Sequence, residues 1–141
     1  HLSLRRQRQM CIETVFTLTD GDIAFGGPGG PDVFGNGVGN SLVVEGGGTT
    51  QVNLGGGNLT AFAGTGTDTY SVTKGMGGLA TIVGFKVGDR ICLTGGFTAG
   101  DATSSMKAAS IGSFGTALSL SDGSRIILSG VTLQASQIVA L

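Results

Sequence analysis

Short apolar runs recur along the first half of the chain, each set off from the next by a cluster of glycines. Val33-Phe34 follows the cluster at 26–30, Leu42-Val43-Val44 follows 35–39, and Val52 with Leu54 follows 46–48. Ala61-Phe62 then follows 55–57, and Tyr70 with Val72 follows Gly64 and Gly66. One apolar position per run gives Val33, Val43, Val52, Ala61 and Tyr70, at intervals of 10, 9, 9 and 9, and Ile23 extends the series one step earlier. Helical repeats need about 33 residues or more, so this interval predicts the half-coils of a parallel β-solenoid. Each half-coil is a glycine turn of about five residues and a strand of three or four, with two half-coils to a coil of about 18. Alternation within a strand sends one residue inward and its neighbours outward, so the series should line one narrow interior. Residues 20–72 supply about three such coils.

From Leu79 the texture changes. Apolar strands are expected over 80–85 and 90–93, and residues 98–110 hold the one helical candidate, with Thr98 or Asp101 as its N-cap. Asp122-Gly123 between the alternating runs 116–120 and 125–128 is the strongest hairpin signal in the chain. The expected fold is all-β: a parallel β-solenoid or β-roll of about three coils with a β-rich C-terminal cap containing one short helix. Its parts are a tail and leading strand at 1–19, the solenoid at 20–78 and the cap at 79–141.

Composition sharpens this picture. Glycine supplies 28 of 141 residues, about three times its ordinary share, without the three-residue period of collagen. Charged residues are only 12% while apolar residues are 40%, which argues against disorder. With a net charge of −1, no field steers the whole molecule to nucleic acid. Arg5, Arg6 and Arg8 read as a solvated tail. No apolar stretch reaches the ~18–20 residues of a membrane span. The residues after those arginines form no signal-peptide core, so a chain beginning at His1 reads as a processed or partial product, exported, if at all, by another signal. Cys11 and Cys92 have no metal-binding spacing. Two arrangements stay open for them: a buried structural thiol at Cys92, or a disulfide between Cys11 and Cys92 within or between chains.

Catalytic chemistry finds little purchase. His1 is the sole histidine, which removes Ser/His/Asp, Cys/His and histidine-ligated zinc arrangements together. Neither a nucleophile elbow nor a Walker loop occurs, and no strong helix follows Gly75-Met76-Gly77-Gly78 to turn it into a phosphate cradle. The acidic residues fall mostly in turns and predict no cleft with paired carboxylates; Glu45 with a solenoid neighbour is the one pairing left open. The phenylalanines and Tyr70 fall at repeat or cap positions and read as core rather than as a platform for small ligands or bases. The expectation is a protein that is not an enzyme and has no small-molecule substrate.

Gly64-Thr65-Gly66-Thr67-Asp68-Thr69-Tyr70-Ser71 matches G-x-G-x-D-x-U-x, with U a large apolar residue, and Gly26 to Phe34 matches it with one residue extra. Together with the segments Thr14–Thr19, Ile82–Phe97 and Ser121–Ser136, this resembles the repeats-in-toxin family over roughly residues 14–139. The resemblance implies export by a type I system, an extracellular or cell-surface location, and calcium held between stacked turns by repeat aspartates and glycine carbonyls. Carried onto this chain, the calcium positions are Asp32, Asp68 and the Asp20–Asp22 turn, with Asp22 its second acid. Here the sequence departs from the family, because the intervening turns offer Asn40, Thr50 and Asn58 instead. Stacked Asn, Thr and Gly holding the turns by hydrogen bonds is therefore the alternative to calcium.

The functional expectation is a secreted, non-enzymatic structural protein, a homo-oligomer or polymer forming an extracellular filament, surface layer or matrix. Val15, Phe16, Thr17 and Leu18 are the assembly candidates, either capping the N-terminal end in cis or pairing with a neighbouring subunit. The alternative function is a calcium-responsive folding and type I secretion module of a larger secreted enzyme or toxin.

Overall fold

The computed structural model describes residues 14–29, 32–98, 101, 115–129, 131 and 133–141. Among the described residues twelve strands follow one another: β1 (Thr14–Leu18), β2 (Ile23–Phe25), β3 (Asp32–Asn36), β4 (Asn40–Val44), β5 (Thr50–Leu54) and β6 (Asn58–Phe62). β7 (Asp68–Thr73), β8 (Leu79–Val83), β9 (Arg90–Thr94), β10 (Gly115–Ser119), β11 (Arg125–Ser129) and β12 (Ile138–Ala140) complete the series. The chain is an all-β parallel solenoid of about four turns. The odd strands up to β9, followed by β12, build one sheet in the order β1-β3-β5-β7-β9-β12, and the other runs β2-β4-β6-β8-β11-β10.

The register is the repeat made visible. Thr14, Asp32, Thr50 and Asp68 stand side by side, one coil of eighteen residues apart. The coil then lengthens to twenty-one, Asn58 facing Leu79 and Thr69 facing Arg90. Two boundaries move as a result. β1 is the first rung of the solenoid rather than part of a tail, and residues 79–94 continue its parallel stacking instead of opening a cap. The Asp-Gly hairpin joins β10 to β11, the one antiparallel pair among the described strands. Most of the segment expected to be helical, 98–110, lies outside the described residues. At its start Thr98 N–H and Oγ1 both donate to Asp101 Oδ2, at 2.9 and 3.0 Å, and Asp101 N–H donates back to Thr98 Oγ1. A 3-10 turn at Ala135–Gln137 leads into β12.

The shared interior is lined by alternate residues of the strands, two of them on most strands, with a correction of phase at its start. Val43, Val52, Ala61 and Tyr70 are fully buried as expected, but the inward residues before them are Ala24 and Phe34. Ile23 is 56% exposed and Val33 is half-buried. The odd sheet brings bulk to the first turns, Phe16 stacking on Phe34 at 5.0 Å between ring centroids, while the even sheet answers with Ala24, Val43 and Ala61. Large against small keeps the two sheets close enough to interdigitate.

Backbone closeness at the turns explains the glycines. A Cβ on Gly64 would overlap the carbonyl oxygen of Gly46, and a Cβ on Gly46 would overlap that of Gly27. Neither glycine has a positive φ, so here glycine is required for room rather than for conformational freedom. Among the described residues no helix is long and apolar enough to cross a membrane.

Candidate functional site

One edge of the solenoid carries the turns that lead from the even sheet into the odd one, and polar groups are buried along it. Strand starts on that edge align Asp32, Thr50 and Asp68, which are 2%, 1% and 0% exposed. Asp89 stands just before Arg90, the partner of Thr69, and so extends the same column. Asp89 is also fully buried, as is most of Glu45, the first residue of the turn after β4.

These groups meet. Tyr70 Oη donates to Glu45 Oε1 at 2.6 Å. The Lys86 ammonium bridges two rungs, reaching Asp68 Oδ2 at 3.3 Å and Asp89 Oδ1 at 3.0 Å. Asp89 also accepts from the backbone N–H of Asp68 and of Lys86, both at 3.0 Å, which folds its turn around the carboxylate. Gln137, in the 3-10 turn, donates to the carbonyls of Lys86 and Asp89 at 3.0 and 3.3 Å and ties the C-terminal segment onto this turn.

Electrostatics follow from the burial. Desolvation pushes the Glu45 carboxyl up to about 8; the Tyr70 hydrogen bond opposes this, and Asp68 and Asp89 add to it. Desolvation and the Glu45 charge push the Tyr70 phenol up as well. For Lys86 burial works against the charge, but the Asp89 hydrogen bond and the two nearby carboxylates prevail, so its ammonium titrates above the ordinary lysine range.

The expected calcium residues are not brought together. Asp22 lies on the opposite edge, half-buried, its carboxylate accepting from Thr19 N–H and Oγ1 at 2.7 and 3.0 Å, which holds its pKa down. Asp32 accepts from Gly27 N–H at 2.8 Å and is separated from Asp68 by the rung of Thr50. Asp68 already carries a cation, the Lys86 ammonium. Among the described residues, no three His, Cys, Asp or Glu side chains gather in a metal-holding arrangement. With the neutral Thr50 between Asp32 and Asp68, and Lys86 on Asp68, these side chains do not place two free carboxylates on adjacent turns. The hydrogen-bonded ladder appears on the opposite edge, where Asn58 Nδ2 donates to Asn40 Oδ1 at 3.1 Å and Asn40 N–H donates to Asp20 Oδ1 at 2.8 Å.

Of the assembly candidates, Phe16 and Leu18 are core residues and Thr17 faces solvent, all on a strand already paired with β3. The side chain of Val15 and all of Cys11 lie outside the described residues, so the proposed Cys11–Cys92 bridge does too. Cys92 is a free, half-buried thiol on β9. From sequence Glu45 stands out only as one half of an open carboxylate pairing with a solenoid neighbour, and Lys86 and Asp89 do not stand out at all. The signal for them was Tyr70: a tyrosine in an otherwise apolar inward column must find its hydroxyl a partner. Comparison of the chain with known protein families and with curated proteins finds no match.

Proposed function

We propose that this chain is a non-catalytic structural subunit, exported from the cell, that assembles end to end into a filament, layer or matrix. The observation that carries this reading is that both sheets stop at the same end on edge strands, β1 and β2, whose outer sides have no strand partner among the described residues. An edge presents a row of unpaired N–H and C=O groups, and soluble proteins usually blunt it with lysine, proline or a bulge. The sequences Thr-Val-Phe-Thr-Leu and Ile-Ala-Phe contain neither lysine nor proline. β2 also exposes Ile23 and Phe25, at 56% and 45%. β12 and β10 finish the two sheets at the other end. A contact between unlike ends joins copies head to tail, and it grows without limit where the rotation between them does not close a ring. The burial of Glu45, Asp68 and Asp89 keeps these three acids out of reach of a bound substrate. Export is supported by the repeats-in-toxin resemblance alone.

Sedimentation velocity and negative-stain microscopy of the purified chain test the reading. Wild type should form elongated particles at micromolar concentration, and the double variant Ile23→Lys/Phe25→Lys, which charges the β2 edge, should be monomeric. A wild type that stays monomeric at ~100 µM, well above the dissociation constants of stable assemblies, would overturn it.

A further inference from the structure

Two buried oxygens in the turn-edge cluster have no hydrogen-bond donor: Glu45 Oε2 and Asp68 Oδ1. Glu45 is 7% exposed and Asp68 0%, so water does not serve them from bulk. Every other oxygen of the two carboxyls is engaged, Glu45 Oε1 by the Tyr70 hydroxyl and Asp68 Oδ2 by the Lys86 ammonium. A carboxylate only accepts, whereas a carboxylic acid also donates. One proton on Glu45 Oε2, directed at Asp68, gives each orphaned oxygen its partner; the two side chains are close enough for that bond to bear on the titration of Glu45. Charge balance points the same way. The Lys86 ammonium faces the carboxylates of Asp68 and Asp89, one positive charge against two negative, and an ionised Glu45 would add a third negative charge to a buried site.

We propose that Glu45 and Asp68 form a proton-binding site inside the solenoid, in which Glu45 is the neutral acid donating to the Asp68 carboxylate, so that the stacking of turns 45–49 and 63–67 depends on one stored proton. The charged and titratable groups facing Glu45 are Tyr70 and Asp68 on β7, Asp89 before β9 and Lys86 in the turn after β8. Asp32 at the start of β3 is near as well, since a Cβ on Gly26 would stand 3.2 Å from Asp32 Oδ2 and 3.4 Å from Glu45 Cα. The inference does not rest on the assembly proposed above.

The direction of the pH dependence follows. In the unfolded chain an ordinary glutamate is ionised above ~4.3, whereas in the fold this one keeps its proton to about 8. Between those limits the folded state binds one proton more, so this group favours folding less as pH rises, by about tenfold in the unfolding equilibrium per pH unit. Above about 8 both states have lost the proton and the dependence flattens.

Glu45→Gln tests it, because the amide oxygen still accepts from Tyr70 and the amide N–H still donates to Asp68, with no proton to lose. Urea unfolding at pH 5, 6, 7, 8 and 9 should show wild type losing about tenfold per unit relative to the variant up to about pH 8 and little more from 8 to 9, with the variant the more stable protein at pH 8 and 9. Parallel pH profiles for the two would overturn the proposal. If the variant fails to fold, wild type alone decides, since Glu13 and Glu45 are the only glutamates in the chain. A carbon-13 titration of the side-chain carboxyls should show one ordinary glutamate and one titrating near pH 8. Two ordinary glutamates would refute the stored proton.

Discussion

Gly64→Ala is expected to be among the most damaging single-methyl substitutions at the described glycines. The new Cβ would overlap the carbonyl oxygen of Gly46 one coil earlier, and the carbonyl carbons of Gly46 and Glu45 lie within van der Waals range as well. These are backbone atoms, fixed by the rung hydrogen bonds on either side, so no rotamer change relieves the overlap and the turns must separate. Overpacking of this kind costs ~3 kcal/mol or more when the obstructing atoms cannot give. The loss is concentrated at one interface between coils, because a solenoid's stability is carried by contacts between neighbouring repeats. Gly29→Ala is the matched control, since a Cβ there meets nothing within 4 Å. It should be neutral, or stabilising by up to ~0.5 kcal/mol through the unfolded chain. Thermal or urea unfolding of the two variants checks both halves of the prediction; equal midpoints would mean that the turns do not stack this closely.

Lys86→Met comes second. It keeps the aliphatic stem and removes the one cation held by Asp68 and Asp89. Both aspartates are fully buried while the lysine side chain is 34% exposed. Stranding a buried carboxylate by deleting its partner costs ~3–5 kcal/mol when both partners are buried. Access of water to the ammonium brings the expectation down to ~2–3 kcal/mol. If the loss comes from the stranded charge rather than from the stem, Asp68→Asn should restore part of it. The double variant Asp68→Asn/Lys86→Met is therefore expected to be more stable than Lys86→Met by at least ~1 kcal/mol in urea unfolding. A double variant no better than the single would place the effect in packing.

The repeat was readable because glycine clusters mark every turn and the strands between them have nearly constant length. Its phase was harder. In Asp32-Val33-Phe34 two neighbouring apolar residues compete for the interior, and alternation alone does not say which wins. Asp32 decides it, because it belongs to the buried column with Thr50 and Asp68, which sends Phe34 inward and Val33 out. In Ile23-Ala24-Phe25 the two large residues look like core, yet the narrow interior at that level takes the alanine. The solenoid was expected to stop at residue 78 because the coil lengthens there from eighteen residues to twenty-one and its turns contain fewer paired glycines. The polar cluster was not legible, because Glu45, Asp68, Lys86 and Asp89 are scattered over more than forty positions and meet only once the coils are stacked.

The reversal of β10 has a consequence for anything built from this subunit. A neighbour that merely prolonged the coil would need both sheets to offer a terminal strand running in the common direction. β12 does so, paired parallel to β9, but β10 runs against β11. If copies stack end to end as proposed, the junction between them is a seam at which one sheet continues and the other changes pairing sense. Six rungs per sheet at ~4.8 Å each set the seam spacing at ~29 Å, and fibre diffraction should record that axial period beneath the strand reflection.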